Sequence, residues 1–363
     1  MAKQIYYTLK RILEIIAQFY MLLGERSNGK SFSVKEKVLE DAYNNNEEFV
    51  YVRRWKEDIK SLSIEQYFDD LVCDGDGVEH VKRITNGEYS DIAVYRGAIY
   101  FANLDDELKK VRGKKIGYAL ALTSETHYKS MSYPRVMNMI FEEFITDKGY
   151  LPNEVQTLMS LVSTVFRRRQ GRVFLIGNTL SRHCPYFNEW QLTHVLKMKQ
   201  GDIEVYHQST NQVDESGNPV TVTIAVEYCA NNSNNSKMFF GKSSKMIVSG
   251  EWETRDYLHL ERRLTTYKCL YTMYAEKGQL RFCIKLLFEN NVPFIYIYPY
   301  TKGDFPDNAR VVTERQSLKP LYSQSLLQFR TKYDNIIVGL LRERKVTVSD
   351  NLTGTDFFNA FKI

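Results

Sequence analysis

Gly24-Glu-Arg-Ser-Asn-Gly29-Lys30-Ser31 stands between an apolar run, residues 19–23, and a helical stretch that reaches about Ala42. It fits the pattern G-x-x-x-x-G-K-[S/T] at every fixed position. The backbone N–H groups of such a loop wrap phosphates, and the dipole of the helix that follows favours their charge. Lys30 is then placed to reach the β and γ phosphates, and the Ser31 hydroxyl to bind Mg²⁺. Glu25, Arg26, Ser27 and Asn28 complete the nucleotide-binding loop. A chance loop is the alternative, but it would lack the strand before and the helix after. Asn44-Asn-Asn46 breaks that helix, and Phe49-Val-Tyr-Val52 reads as the next buried strand. The succession β-loop-α-β opens a parallel α/β unit.

Working outward, Ile5, Leu9, Ile12, Leu13 and Ile16 share one face of an expected helix over 5–16. Downstream, Asn86-Gly87 and Arg96-Gly97 predict two hairpins within 78–102. Further strands are expected over 117–123, 137–141 and 173–176, and a helix over 152–166, where Val155, Leu158, Met159, Val162 and Phe166 fall at helical spacing. The composition shifts near Gly201. Polar stretches at 208–218 and 230–245 bracket the apolar piece Val220 to Tyr228 and predict a linker region over 204–249. Beyond it the pattern turns to β, with strands over 279–288 and 292–300 and then a helix over 319–333. The expected organisation is a mainly parallel α/β domain over 1–203 and a smaller α+β domain over 250–363.

The chain has 363 residues, 43% hydrophobic and 26% charged, a globular balance that excludes a disordered or collagen-like chain. No uninterrupted apolar run reaches the roughly 18 residues a bilayer crossing needs. Ile12 to Leu23 is greasy, but Glu14 and Gln18 interrupt it, so a signal peptide is not expected. The net charge of +5 is modest, which confines any nucleic-acid contact to local patches. Cys73, Cys184, Cys229, Cys269 and Cys283 are dispersed, as reduced cytosolic thiols are, and do not form a zinc site.

Met139-Ile-Phe-Glu142-Glu143 reads as the second half of the phosphate site. Glu142 is the candidate for the Mg²⁺ shell, and Glu143 is the candidate base that polarises water for attack on the γ phosphate. Two acids after an apolar strand are also common as solvated charges; the loop upstream decides for function. Arg167, Arg168, Arg169 and Arg172 admit three readings: satisfying a helix C-terminus, reaching a neighbouring subunit's γ phosphate, or contacting DNA phosphates. Gly177-Asn178-Thr179 either places an amide near the γ phosphate or makes a plain turn. Asp74-Gly-Asp76-Gly lacks the third oxygen ligand of a calcium loop, because Val78 stands there. His183-Cys184 reads as packing, and Glu88, Asp91, Asp105 and Asp106 as solvated charges.

In order, these blocks resemble the DNA-packaging (encapsidation) ATPases of small short-tailed bacteriophages, a branch of the terminase large-subunit ATPases. The resemblance rests on Gly24 to Ser31, Phe49-Val-Tyr-Val-Arg53-Arg54-Trp-Lys56, Ile140-Phe-Glu-Glu-Phe144, Tyr150-Leu-Pro-Asn-Glu-Val155, Thr164-Val-Phe-Arg167, and Gly177-Asn178 followed by Pro185-Tyr-Phe187. It covers most of residues 18–190 and fades after 200.

The resemblance implies a P-loop (ASCE-type) ATPase domain, ATP and Mg²⁺ as cofactors, and a homo-oligomeric ring, thought pentameric, docked on the portal vertex of an empty capsid in the host cytoplasm. Such a ring drives double-stranded DNA inward. It further implies Lys30 and Ser31 as nucleotide and metal ligands, Glu143 as catalytic, Arg26 as the loop arginine and Arg167 as a trans-acting finger. Lys129 becomes a second trans-acting cation, Arg54 and Lys56 the DNA-facing candidates, and Asn178 the coupling residue. The family usually carries Asp where this chain has Glu142, whose extra methylene still lets it reach Mg²⁺ through a water.

In terminases the C-terminal part is an RNase H-like nuclease, which needs clustered carboxylates for two metals. The strands expected over 279–300 carry no Asp, so the expectation is a vestigial nuclease-like domain that does not cut. Arg262, Arg263 and Lys268 are its candidate contacts to DNA, portal or a structural packaging RNA, against ordinary surface charge. A helicase- or recombinase-type ATPase, an ATP-gated scaffold without turnover and an active packaging nuclease are the rival functions.

Overall fold

A computed structural model describes residues 6–167, 169–213, 217, 219–230, 252, 254–329 and 331–362. The chain folds into two compact units, one of residues 1–179 and 194–251 and the other of residues 180–193 and 252–363.

The first unit is built on a nine-stranded sheet: β1 (Phe19–Gly24), β2 (Glu48–Arg53), β3 (Asp91–Tyr95), β4 (Ala98–Leu104), β5 (Lys110–Ala121), β6 (Val136–Glu142), β7 (Arg172–Asn178), β8 (Ile203–Val213) and β9 (Pro219–Tyr228). Their order is β3-β4-β5-β2-β6-β7-β1-β9-β8. The central run from β5 to β9 is parallel throughout, and β3–β4–β5 and β8–β9 add antiparallel edges. β1, buried along its whole length between two parallel neighbours, is the apolar run the sequence showed before the glycine loop.

The helices of this unit are α1 (Lys10–Leu13), α2 (Lys30–Asn44), α3 (Ser61–Val72), α4 (His80–Ile84), α5 (Glu125–Tyr128) and α6 (Glu154–Phe166). α2 buries Val34, Val38, Leu39 and Ala42, one face at helical period. α6 does the same with Val155, Leu158, Leu161 and Val165.

In this unit four sequence expectations need correction. The helix over 5–16 shrinks to α1, because the Tyr7 backbone is committed elsewhere: its N–H donates to the Asn28 carbonyl at 3.0 Å, and its carbonyl accepts from Ser33 Oγ at 2.6 Å. Arg96-Gly97 does turn the β3–β4 hairpin. Asn86-Gly87 does not join strands; it ends α4, with both residues at positive φ and the Gly87 N–H donating back to the Lys82 carbonyl. Of the expected linker, residues 204–213 and 219–228 belong to strands of the main sheet. The apolar half of β9 pairs with β1 while its first three residues are exposed, which mimicked a linker's polarity. Residues 214–216, 218 and 231–249 of that expected linker lie outside the described residues. Finally, Asp91 is buried beside Lys110 (3.0 Å) rather than solvated.

The second unit holds α7 (Pro185–Glu189), α8 (Asp334–Arg342), α9 (Asn351–Phe361) and a seven-stranded sheet: β10 (Leu258–His259), β11 (Lys268–Lys277), β12 (Leu280–Glu289), β13 (Val292–Pro299), β14 (Arg310–Thr313), β15 (Tyr322–Ser323) and β16 (Val346–Val348). Its order is β10-β16-β13-β12-β11-β14-β15. β11, β12 and β13 form an antiparallel meander, and β14 runs parallel to β11 and β15 parallel to β14.

The helix expected over 319–333 is absent. Buried Arg310 collects the carbonyls of Leu321 and Gln328 and pairs with Asp334 at 2.9 Å, so those carbonyls hold a turn-rich segment, and the helix begins only at Asp334. Cys184 is buried here, and burial pushes the His183 imidazole down to about 4, in keeping with a packing role. No helix among the described residues is long and apolar enough to cross a membrane.

Candidate nucleotide site

The parallel strands deliver their C-terminal ends to one edge, where α/β sheets take their ligands. β1 ends in the glycine loop, β6 in Glu142-Glu143, β7 in Asn178 and β2 in Arg53. Because β7 lies between β1 and β6, it sets Asn178 level with Gly24 and between the loop and the acids.

The loop turns through Ser27 and Gly29, both at positive φ, and Gly29 caps α2. The positive φ at Gly29 favours glycine, and a Cβ there would also make a tight 3.1 Å contact with Tyr6 Cβ. Lys30 is buried at the centre. Its Nζ donates to the Glu25 carbonyl (2.5 Å), to Asn28 Oδ1 (3.1 Å) and to Asn178 Oδ1 (3.5 Å). Burial pushes its ammonium down, opposed in part by the carboxylates of Glu142 and Glu25.

Glu25 Oε2 and Asn28 Nδ2 are buried without a hydrogen-bond partner in the structure, which marks the loop as built to meet further polar atoms. Arg26 is exposed at the loop's tip.

Burial drives the Glu25 carboxyl up to about 7, against the pull of Lys30. The folded protein therefore holds a proton that the unfolded chain releases at a lower pH. Stability from this group is full below the ordinary glutamate range and is lost as pH rises through about 7. Replacing Glu25 with glutamine removes that loss, so the melting temperature of Glu25→Gln should gain on the wild type from pH 5 to pH 8, read by thermal melts across that range.

Glu142 is buried, and its Oε1 accepts the Tyr67 hydroxyl at 2.7 Å. Burial raises its pKa, opposed by hydrogen bonds from the Tyr67 and Ser31 hydroxyls. A serine hydroxyl beside a carboxylate at the foot of a phosphate loop is the oxygen-donor set a hard divalent cation takes, so Mg²⁺ fits here. Glu143 has a positive φ of 56°, which turns its side chain out of the strand's alternation and into solvent. There its Oε2 accepts from Arg53 Nη2 at 2.8 Å.

Arg54 is not where a DNA contact needs it. It is buried, pairs with both oxygens of Glu154 at 2.7 and 2.9 Å, and donates to the carbonyls of Glu143 and Phe144. Arg54 follows the last residue of β2 and turns inward to Glu154, while Lys56 opens a short turn on the surface. Lys56 is exposed and stays available. Arg54→Met removes the cation from buried Glu154, whose bond from the Leu151 N–H (2.9 Å) does not neutralise its charge. It should cost about 3–5 kcal/mol of stability, read by chemical denaturation, whereas Lys56→Ala should leave the midpoint in place.

The basic cluster divides. Arg169 donates to the carbonyls of Tyr133, Pro134, Val165 and Phe166, and Arg172 pairs with Asp41 and Glu47. Both hold the fold together. Arg168 lies outside the described residues. Arg167 ends α6 at positive φ, exposed, with one bond to the Met131 carbonyl, which brings it beside the segment of Lys129. Lys129 is exposed and within 3.5 Å of Glu125. α6 runs about 20 Å from the acid end of β6 back towards the start of β7, so Arg167 at its end stands towards the edge of the sheet opposite its own phosphate loop.

Arg53, Tyr67 and Lys35 were missed from sequence. Lys35 is buried one helical turn after Ser31 and bonds to the Tyr67 carbonyl and Asp70. Only the i, i+4 spacing from Ser31 hinted at it. Asp74 spends its carboxylate on the N–H groups of Asp76 and Val78 and on His80, and no metal-holding cluster occurs among the described residues.

The family model described as Podovirus DNA encapsidation protein (Gp16) matches residues 1–223. The DNA packaging protein of Bacillus phage B103 is 32% identical over 170 residues, 46% of each chain. That of Bacillus phage phi29 is 30% identical over 192 residues, 52% of this chain and 50% of the relative. The chain thus spans about half the length of these relatives. A solved structure described as the Phi-28 gp11 DNA packaging motor superposes with a TM-score of 0.53 at 19% identity, covering 99% of both chains. That likeness extends the shared fold over both units.

Proposed function

The chain belongs to the podovirus DNA encapsidation protein family, and from that premise we propose that it is an ATP-hydrolysing motor subunit that drives double-stranded viral DNA through the portal into an empty capsid. One observation carries the reading. Lys30, Ser31, Glu142, Glu143 and Asn178, far apart in sequence, converge on one edge of a parallel sheet.

Ser31 and Glu142 would hold Mg²⁺, which supplies charge neutralisation at the phosphates when bound. Lys30 and the loop N–H groups orient the β and γ phosphates. Glu143 takes the proton of the attacking water once Arg53 releases it, and Asn178, within reach of Lys30, links the state of the phosphates to β7. Arg167, with Lys129 beside it, acts on the neighbouring subunit's nucleotide, which makes the ring the unit of catalysis. Backbone contact suits such a motor, because every genome sequence must pass.

The second unit serves as the vestigial nuclease-like domain. The strand order β13-β12-β11-β14-β15 with its antiparallel meander supports that reading. So does Glu276 at the β11–β14 boundary, which is engaged by Arg315 (3.1 Å) and Thr313 (3.1 Å) rather than grouped with other acids. Exposed Arg262, Arg263 and Lys268 would contact DNA, portal or a packaging RNA.

The test is ATP turnover as a function of protein concentration, with and without long double-stranded DNA. Turnover per subunit should rise with concentration and again with DNA. Strand separation by the isolated protein, or tight ATP binding without turnover even with portal-bearing capsids added, would overturn the reading.

A further inference from the structure

Two adjacent carboxylates at the end of β6 are each held by a residue from the same β2–α3 segment: Glu143 by Arg53 and Glu142 by Tyr67. The second contact is the less expected. Tyr67 lies in the middle of α3, thirty-six residues from Ser31 and seventy-five from Glu142, yet its hydroxyl donates to Glu142 Oε1 at 2.7 Å.

The ring is fixed on three sides. Tyr51 packs against it with centroids 4.5 Å apart, Phe68 meets it edge-on at 5.0 Å, and Lys35 Nζ lies 4.5 Å over its face. Lys35 also donates to the Tyr67 carbonyl (2.6 Å) and to Asp70 (2.5 Å). It thereby ties α3 to α2, the helix that carries Ser31. A tyrosine so confined cannot move its hydroxyl without unpacking the helix.

We infer that Tyr67 is a positioning residue for the divalent cation: its hydroxyl holds one oxygen of Glu142, fixes the rotamer of this long carboxylate, and leaves the other oxygen free of that bond. A glutamate has one more rotatable bond than an aspartate, and an unrestrained Glu142 would lose that freedom each time a cation bound. The buried hydroxyl meets that cost in advance, as partners of metal-ligating carboxylates generally do. The inference rests on the nucleotide–Mg²⁺ reading of the site, and Lys35 is the element that keeps the arrangement in register with the phosphate loop.

The experiment measures the Mg²⁺ concentration that half-saturates tight binding of a non-hydrolysable ATP analogue, with direct Mn²⁺ binding by electron paramagnetic resonance as a second readout. Four chains are compared: wild type, Tyr67→Phe, Glu142→Asp and the double variant. Their metal-free nucleotide affinity and melting temperature are recorded alongside.

Tyr67→Phe should need roughly 10-fold more Mg²⁺ or Mn²⁺, with metal-free nucleotide binding unchanged. In the Glu142→Asp chain the shorter side chain no longer reaches the hydroxyl, so adding Tyr67→Phe should change metal affinity little. An equal effect of Tyr67→Phe in both backgrounds, or no effect on metal affinity in the wild-type background, overturns the inference while leaving the nucleotide site in place. Absence of any divalent-cation dependence in the wild type overturns the underlying reading and this inference with it. A Tyr67→Phe chain that melts early is replaced by Tyr67→His, which keeps a ring and a donor. Its failure to restore any metal affinity would likewise count against a hydrogen-bonding role.

Discussion

Glu143→Gln is expected to lower ATP turnover by about 10²–10⁴-fold while nucleotide affinity stays within a few-fold of wild type. Glutamine keeps the volume and still accepts a hydrogen bond from Arg53, so the loop, the Glu142–Ser31 pair and the fold are undisturbed. What disappears is the capacity to take a proton. Glu143 is exposed and leaves the strand at a positive φ, so the substitution carries no packing cost that would confuse the measurement. Single-turnover hydrolysis, measured beside equilibrium binding of the nucleotide, separates the two effects. Loss of binding together with turnover would show that Glu143 belongs to the nucleotide's ground-state contacts and not to the chemical step.

Arg167→Ala should be as severe, by about 10³–10⁵-fold in turnover if it acts as a finger on the transferring phosphoryl group, and it should be rescuable. Its side chain bonds to the Met131 carbonyl, and its removal leaves Arg169 and Arg172 to hold the surrounding fold. The length of α6 separates it from the acids of its own subunit, so the proposed finger role requires a neighbouring subunit. Rings mixed from Arg167→Ala and Glu143→Gln subunits contain interfaces with an intact base on one side and an intact arginine on the other. Turnover should reappear at intermediate mixing ratios. No recovery at any ratio would place Arg167 among the structural arginines.

The phosphate loop, its strand and helix, the acid pair and the strand bearing Asn178 were all legible, because their chemistry is written in consecutive residues. What escaped was written across the chain. Arg54 looked like Lys56 in sequence; only the pairing with Glu154, a hundred positions on, shows that it is internal. Tyr67 sits in an amphipathic helix where an aromatic reads as core, and it is core, except for one oxygen. β8 and β9 were lost because β8 is rich in polar residues and β9 opens with three exposed ones, a linker's composition, and only the pairing of β9 with β1 and of β8 with β9 reveals them. The Arg310 network hid in the same way, since a buried guanidinium that binds main-chain carbonyls leaves no periodicity in the segment it organises.

That β1 is flanked on both sides by parallel strands has a mechanical meaning. A force applied at the phosphates along the strand direction is resisted by the ladders to β7 and β9 together, with their hydrogen bonds sheared in concert rather than peeled apart one at a time. An edge strand would unzip under the same pull. Under the proposed motor function, the nucleotide loop hangs from a strand held on both sides, so a load at the phosphates is shared sideways by two ladders before any single bond bears it.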